Sequence, residues 1–336
     1  MQTIPIFFAF NNDYIEPASV AFFSLLNKAR STIFFDMYVL HSDISTSRQQ
    51  VLFNIVSRFK NAKLTFISVG SEFNDIFSKG NYSLGTAGSK FTSDTLTRCF
   101  ASRFFPQYSK IIYSDVDVIF VNDISELYDI DLNGKYFAGV KNAFTKFSEY
   151  ELSHLSSQNY AMLKDKYIAG GIFVMNLEKI REDKLDTKML AIANDNSIIK
   201  RWPDQDIINI ASEGKVAFIP LNYISYPYMK DLLNNPSFTS VFTREELYDS
   251  IINPKIIHFA SNKPWNSNPN YSNLWWTYFD YLGLEKTKIF DLGKNKKCKN
   301  KKAKKYKILF LIFLLISILL FIIICGICLK LKFGII

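Results

Sequence analysis

Cysteine is nearly absent from most of this chain. Of four cysteines only Cys99 lies in the first 293 residues, with Cys298, Cys325 and Cys328 behind it. No disulfide framework can hold such a body together, which agrees with a reducing compartment. Cys325 and Cys328 have C-x-x-C spacing, but they sit in an apolar run, where zinc or redox chemistry is not expected. Nothing at the N-terminus has the basic region and cleavage pattern of a signal peptide, so none is expected. Internal repeats are missing. Negative charge is missing too from Lys294 to Ile336, where there is no Asp, Glu or Arg but eleven Lys. Met1–Gly293 is then left with 29 basic against 31 acidic residues. A body so nearly neutral is not a nucleic-acid binder by charge. Low proline with abundant Asn, Lys, Ile and Phe points to an AT-rich bacterial source.

What is present begins with that tail. Lys294–Lys307 holds nine Lys in fourteen residues, and Ile308–Leu329 follows with 22 uncharged residues, mostly Ile, Leu and Phe. A helix of that length rises ~33 Å, enough to cross a bilayer core of roughly 30 Å. The lysines precede the span, which places the body in the cytoplasm, at a bacterial inner membrane, with the short C-terminus across it. They also suit anionic lipid headgroups. The expected organisation is a catalytic body over 1–290, a Lys-rich linker over 291–307, a transmembrane helix over 308–329 and a tail over 330–336. Lipidation of Cys298 has only its position in its favour.

The body is 336 residues less this tail, in a chain with 48% hydrophobic and 16% aromatic residues. That suffices for one large core or two modest ones. Strand-like runs at Ile4–Phe10, Phe34–Leu40, Lys63–Val69 and Ile111–Ser114 alternate with helix-like patterns at Ala18–Lys28, Ser45–Phe59 and Ser93–Phe105, the last with Thr92 or Ser93 as N-cap. This order predicts an α/β fold with a mostly parallel sheet and helices on both faces. Farther on, Phe137–Val140, Gly171–Asn176 and Ile256–Phe259 read as strands, and Lys184–Asp195 and Gln205–Ser212 as helices. Asn222–Phe242, rich in Pro, Asn and aromatics, reads as a long loop or lid over a cleft.

Ligands of such sheets bind beyond the C-terminal ends of the strands. There stand Asn11-Asn12-Asp13-Tyr14 after the first strand and Asp115-Val116-Asp117 after the fourth. In an extended segment the two carboxylates share a face. Paired buried carboxylates need a cation, and hard oxygen ligands suit Mg²⁺ or Mn²⁺ with a phosphate completing the shell. A polar strand end beside a turn is the bland alternative. Gly170 and Gly171, before a buried strand, permit either close ligand approach or a simple turn. Asp204, Gln205 and Asp206 begin a helix, where carboxylates are favoured anyway. His258 ends a strand, with Lys263 five residues on, whereas His41 and His154 lie in unremarkable surroundings.

These segments, in this order, resemble family 8 glycosyltransferases, the retaining enzymes that include lipopolysaccharide galactosyl- and glucosyltransferases and glycogenin. The matched stretches are Ala9–Tyr14, Thr97–Ala101, Tyr113–Val118, Ala169–Leu177, Asp204–Asn209 and His258–Trp265. The resemblance implies a GT-A type nucleotide-sugar fold and a UDP-hexose donor. It makes Asp115, Asp117 and His258 the ligands of Mn²⁺, which suits a mixed carboxylate–imidazole set better than Mg²⁺. It sets Tyr14 against uracil, Asn11 near the base, Arg98 near sugar and phosphates, and Lys263 on the leaving diphosphate. Ala169 and Gly170 become donor-contacting backbone, and Asp204 and Gln205 lie by the reacting face of the sugar. No nucleophile is implied. The chain departs from the pattern at Ile168, where Asn is usual, near Ala143, where an acid is usual and Asn142 is the nearest polar residue, and around Ala260–Ser261.

The implied activity is transfer of glucose or galactose from a UDP-sugar to a saccharide, lipid-linked because of the anchor. Trp265, Trp275 and Trp276 are available to stack on acceptor sugars or to pack in the core. A glycogenin-like self-glucosylating enzyme and a non-catalytic, membrane-tethered sugar-nucleotide or glycan binder remain as alternatives.

Overall fold

A computed structural model describes residues 1–70, 94–143, 154–286 and 289. The expected linker, membrane helix and tail fall outside the described residues, as do Thr92 and Ser93. Among the described residues no helix is long and apolar enough to cross a membrane. Met1–Leu284 forms one compact unit.

Its frame is a seven-stranded sheet of β1 (Gln2–Ala9), β2 (Ile33–His41), β3 (Ala62–Ser68), β4 (Lys110–Ser114), β6 (Phe137–Lys141), β7 (Ile168–Asn176) and β8 (Val216–Ile219), in the order β3-β2-β1-β4-β7-β6-β8. A separate two-stranded sheet joins β5 (Val118–Phe120) to β9 (Ile256–His258). The strands β1, β2, β3 and β4 run parallel, and β6 pairs parallel with β8. β7 runs antiparallel to both β4 and β6. The central strands are apolar on both faces, as covered parallel sheets require. Helix Ile15–Lys28 packs under β1, with the rings of Phe8 and Phe22 4.6 Å apart. The sheet's other face is covered by Leu185–Asn194 and Pro203–Ser212, whose buried Met189, Ile192 and Ile207 join Phe7, Tyr113 and Phe173 in one core.

The mostly parallel α/β expectation holds, and four details differ. Helix Ile15–Lys28 starts three residues before Ala18, because Pro17 in a first turn gives up only an N–H that has no intrahelical partner. Between 94 and 104 the chain is not one helix. It tightens to a 3₁₀ turn over Arg98–Phe100, just after the Thr97 hydroxyl bonds back to the Asp94 carbonyl. β7 begins at Ile168, so Gly170 and Gly171 stand inside the strand and not before it. Within Asn222–Phe242, Met229–Leu232 and Pro236–Thr239 are single helical turns that bury Met229, Leu232 and Phe238. That segment is therefore partly helical and anchored in the body, and not a structureless loop. Turns this short carry no apolar period for a sequence reading to detect.

Candidate functional site

Three strand ends and one small sheet meet at a single edge. β1 and β4 are parallel neighbours, with Phe7 opposite Tyr113, so Asn11–Tyr14 and Asp115–Asp117 leave the sheet side by side. β7 runs the other way, which brings its first residues to the same edge, with Ser114 opposite Ile172 and the Asp115 N–H bonded to the Gly171 carbonyl at 2.9 Å. The small sheet sets Val118 opposite His258, and the Phe259 N–H bonds to the Asp117 carbonyl at 2.9 Å. His258 is thereby fixed beside Asp117 although 141 residues separate them in the chain.

Asp115 and Asp117 are brought together by the bend between β4 and β5, not by one extended strand. His258 Nε2 lies 3.2 Å from Asp117 Oδ1 and 3.5 Å from Asp115 Oδ2. One ligand atom from each of the three residues lies within 4.8 Å of the others, a set that fits one divalent cation. Lys263 Nζ pairs with the other oxygen of Asp117. Burial opposes ionisation of Asp117, but Lys263 and His258 outweigh it and hold its carboxyl well below the usual range. Burial likewise works against the Lys263 ammonium, and Asp117 more than offsets it, so this lysine stays charged.

Arg98 is the second buried cation. Its Nη1 donates to Asp115 Oδ1 at 2.8 Å and reaches Asp204 Oδ2 at 3.1 Å, while the guanidinium lies 4.4 Å above the Tyr113 ring. Tyr113 also donates to Asp115 Oδ1, at 2.5 Å. Burial lifts Asp204 above the ordinary carboxylate value, against the pull of Arg98 and with a push from Asp115. Gln205 is half-exposed between buried Asp204 and Asp206. Its Oε1 accepts from the Gly170 N–H at 2.8 Å and its Nε2 donates to the Tyr167 hydroxyl at 3.3 Å.

The glycines have a specific use here. A Cβ on Gly171 would stand 2.5 Å from His258 Cε1, and one on Gly170 would stand 3.3 Å from Asp204 Oδ2. The close approach expected of a ligand is thus used first by the protein's own side chains. Ala169 is buried beside them. Ile168, the departure from the family pattern, is buried in the core, and a Cβ on Gly139 would lie 3.0 Å from its own Cβ. Asn142 donates its backbone N–H to the Tyr167 carbonyl at 2.9 Å.

On the far flank the Asn11 side chain caps a 3₁₀ turn, accepting from the Asp13 N–H at 3.2 Å. Tyr14 follows, edge-on to Trp265 at 6.4 Å, and burial pushes its phenol up. Trp265 and Trp275 are both buried, with ring centres 5.3 Å apart, so they pack the core and do not serve as an acceptor platform. Among the described residues, buried polar atoms without a partner include Arg98 Nε and His258 Nδ1. Two buried cations, a three-ligand cluster and unmatched donors on one edge can hold a divalent cation together with a polyanion such as a diphosphate.

Tyr113, Tyr167, Tyr226 and His154 make contacts at or behind the site to which the sequence reading assigned no role. Tyr113 precedes the D-x-D motif but is indistinguishable from the apolar strand around it. Tyr226 lays its ring near that of His258, 6.2 Å away and 30° from parallel. His154 is not in unremarkable surroundings: its Nε2 is 2.9 Å from the buried Asp206 carboxylate. No local pattern announces a contact made across 52 residues.

A family model described as glycosyl transferase family 8 matches residues 5–269. Among curated proteins the chain is 28% identical over 158 residues to a lipopolysaccharide 1,2-glucosyltransferase of Escherichia coli strain K12, covering 47% of this chain and 44% of that one. It is 26% identical over 281 residues to the glycosyltransferase GlyF of Streptococcus pneumoniae serotype 4, covering 82% and 61%. The chain therefore spans less than two thirds of the length of these two relatives. Among solved structures it is similar to the galactosyltransferase LgtC in complex with donor and acceptor sugar analogues, with a TM-score of 0.69, 19% identity, and 84% and 97% of the two chains covered. That likeness is one of fold, the GT-A type. With most of its compact unit inside the family match, the chain belongs to glycosyl transferase family 8.

Proposed function

We propose that this glycosyltransferase is a retaining, metal-dependent hexosyltransferase that moves glucose or galactose from a UDP-sugar to a lipid-linked saccharide at the cytoplasmic face of a membrane. The observation that carries the proposal is the Asp115–Asp117–His258 cluster with Lys263 against it, at the edge of the sheet where β1, β4 and β7 converge. The E. coli relative acts, by its name, on lipopolysaccharide, and LgtC is a galactosyltransferase, which supports a hexose donor and a surface-glycan acceptor.

The chemistry fits the side chains. As the bond from the anomeric carbon to the diphosphate breaks, negative charge grows on the leaving group and the sugar becomes cation-like. Asp115, Asp117 and His258 would hold a divalent ion, Mn²⁺ in preference to Mg²⁺, which would supply Lewis-acid neutralisation of that diphosphate. Lys263, kept protonated by Asp117, offers a fixed ammonium for the same charge. Arg98 holds Asp115 and Asp204 in place through its bonds to both. Asp204 and Gln205 sit where a carboxylate and an amide would bind the donor sugar and favour its cation-like form. Tyr14 and Asn11 bind the base, and the backbone at Ala169 and Gly170 lines the donor. The family 8 resemblance adds retention, with the acceptor attacking from the face that the diphosphate leaves. Keeping two carboxylates, an imidazole and an ammonium together in a buried edge is costly without a bound ligand, which favours a catalyst over a decayed binder.

UDP release is to be measured across a panel of UDP-sugars, with Mn²⁺ and with chelator, for the native chain and Asp117→Asn. The expected outcome is metal-dependent release from one hexose donor, lowered at least about a hundredfold in the variant. Release that persists in chelator or in Asp117→Asn rejects the metal-dependent reading.

A further inference from the structure

Behind Gln205 lies a buried polar network that the reaction scheme leaves unused. Asp206 is fully buried, and its carboxylate oxygens accept hydrogen bonds from both backbone and side chain. Its Oδ1 accepts from the Tyr167 hydroxyl at 2.5 Å. Its Oδ2 accepts the backbone N–H groups of Arg201 at 2.8 Å and Trp202 at 2.9 Å, and faces His154 Nε2 at 2.9 Å. The backbone N–H groups and His154 crowd Oδ2, and Oδ1 is left to take the Tyr167 proton. Tyr167 is itself buried.

That commitment has a consequence one residue back along the helix. With its proton given to Asp206, the Tyr167 oxygen can only accept from Gln205, so it selects the NH₂ end of the side-chain amide. On the other side the Gly170 N–H selects the carbonyl end. Two separate constraints thus choose the same one of the two amide orientations. These two bonds leave one N–H and one lone pair of the Gln205 amide for another partner, in positions that the two bonds fix.

We propose that Asp206 and Tyr167 form a positioning relay that locks the Gln205 amide in the orientation the donor sugar requires. The relay rests on the reading of Gln205 as a sugar-binding residue. Neither Asp206 nor Tyr167 touches the reacting atoms. Fixing an amide before the substrate arrives removes a reorganisation step from the transition state, so the relay acts on kcat more than on donor affinity.

A double-mutant cycle separates this role from packing. Tyr167→Phe removes one oxygen, and its kcat for sugar transfer is expected to fall about tenfold with the KM for UDP-sugar within about twofold. In the Gln205→Ala background the same change is expected to add less than about twofold. Asp206→Asn, which frees the Tyr167 proton to turn towards Gln205, gives a second cycle with the same expectation should the first variant fail to fold. Losses that multiply in the double variants would overturn the relay and assign Tyr167 and Asp206 to packing alone. A kcat unchanged in Gln205→Ala alone would instead overturn the sugar-binding reading beneath it. The two failures are distinct.

Discussion

Asp204 shows how a single residue can be set against the fold that holds it. Burial raises its pKa, Arg98 only partly offsets this, and Asp115 adds to it. The folded chain therefore binds the Asp204 proton more tightly than the unfolded chain does. Between the unfolded pKa of about 3.9 and the higher folded value, stability falls as pH rises. Above that window the penalty is complete, and below it there is none. Asp204→Asn is expected to melt at a higher temperature than the native chain at pH 7. The gain should shrink as the pH falls towards about 4, and sugar transfer should drop at every pH. Thermal melts across that pH range decide the matter: a variant less stable at pH 7 would mean that Arg98 needs this negative charge for folding. At this scale the motif residues were legible because charged groups in apolar runs stand out. Tyr113, Tyr167 and His154 were not, since a buried tyrosine that serves a carboxylate reads like one that fills a core.

At the scale of elements, the site depends on two strands passing very close. β7 can lie against the His258 ring only because position 171 has no side chain, a Cβ there standing 2.5 Å from Cε1 and 2.6 Å from Nδ1. Gly171→Ala is therefore expected to push the imidazole out of line with Asp115 and Asp117. Calorimetric titration should show Mn²⁺ affinity weakened at least about tenfold, with far-ultraviolet dichroism unchanged. Gly70→Ala is the matched control, because nothing among the described residues lies within 4 Å of the added carbon. Equal Mn²⁺ affinity in the two variants would remove His258 from the ligand set. The existence of these strands was readable from continuous apolar runs, and the parallel order from the helices between them. The placing of the glycines within β7 was not, because a strand buried on both faces has no alternation to mark its start. The pairing of β5 with β9 was also hidden, since a three-residue strand is too short to carry a period.

For the whole molecule the governing asymmetry is one of charge. Met1–Gly293 is close to neutral, while Lys294–Lys307 concentrates nine positive charges next to an uncharged run of 22 residues. In the proposed arrangement the run spans the bilayer and the lysines rest on anionic headgroups, so enzyme and lipid-linked acceptor share a surface and not a volume. Confinement raises the effective concentration of the acceptor without any new contact in the site. Removal of everything after Gly293 leaves the compact unit Met1–Leu284 whole. The truncated chain is expected to hydrolyse or transfer from UDP-sugar in solution at the native rate. On vesicles carrying the lipid-linked acceptor, it should lose at least about a hundredfold in efficiency at equal enzyme concentration. The loss should appear in the apparent KM for acceptor, with kcat preserved, because the active site is unaltered. A truncated enzyme as efficient on vesicles as the full chain would refute the anchoring role of the tail, and a fall in kcat on soluble acceptor would mean that the tail contributes to the site itself.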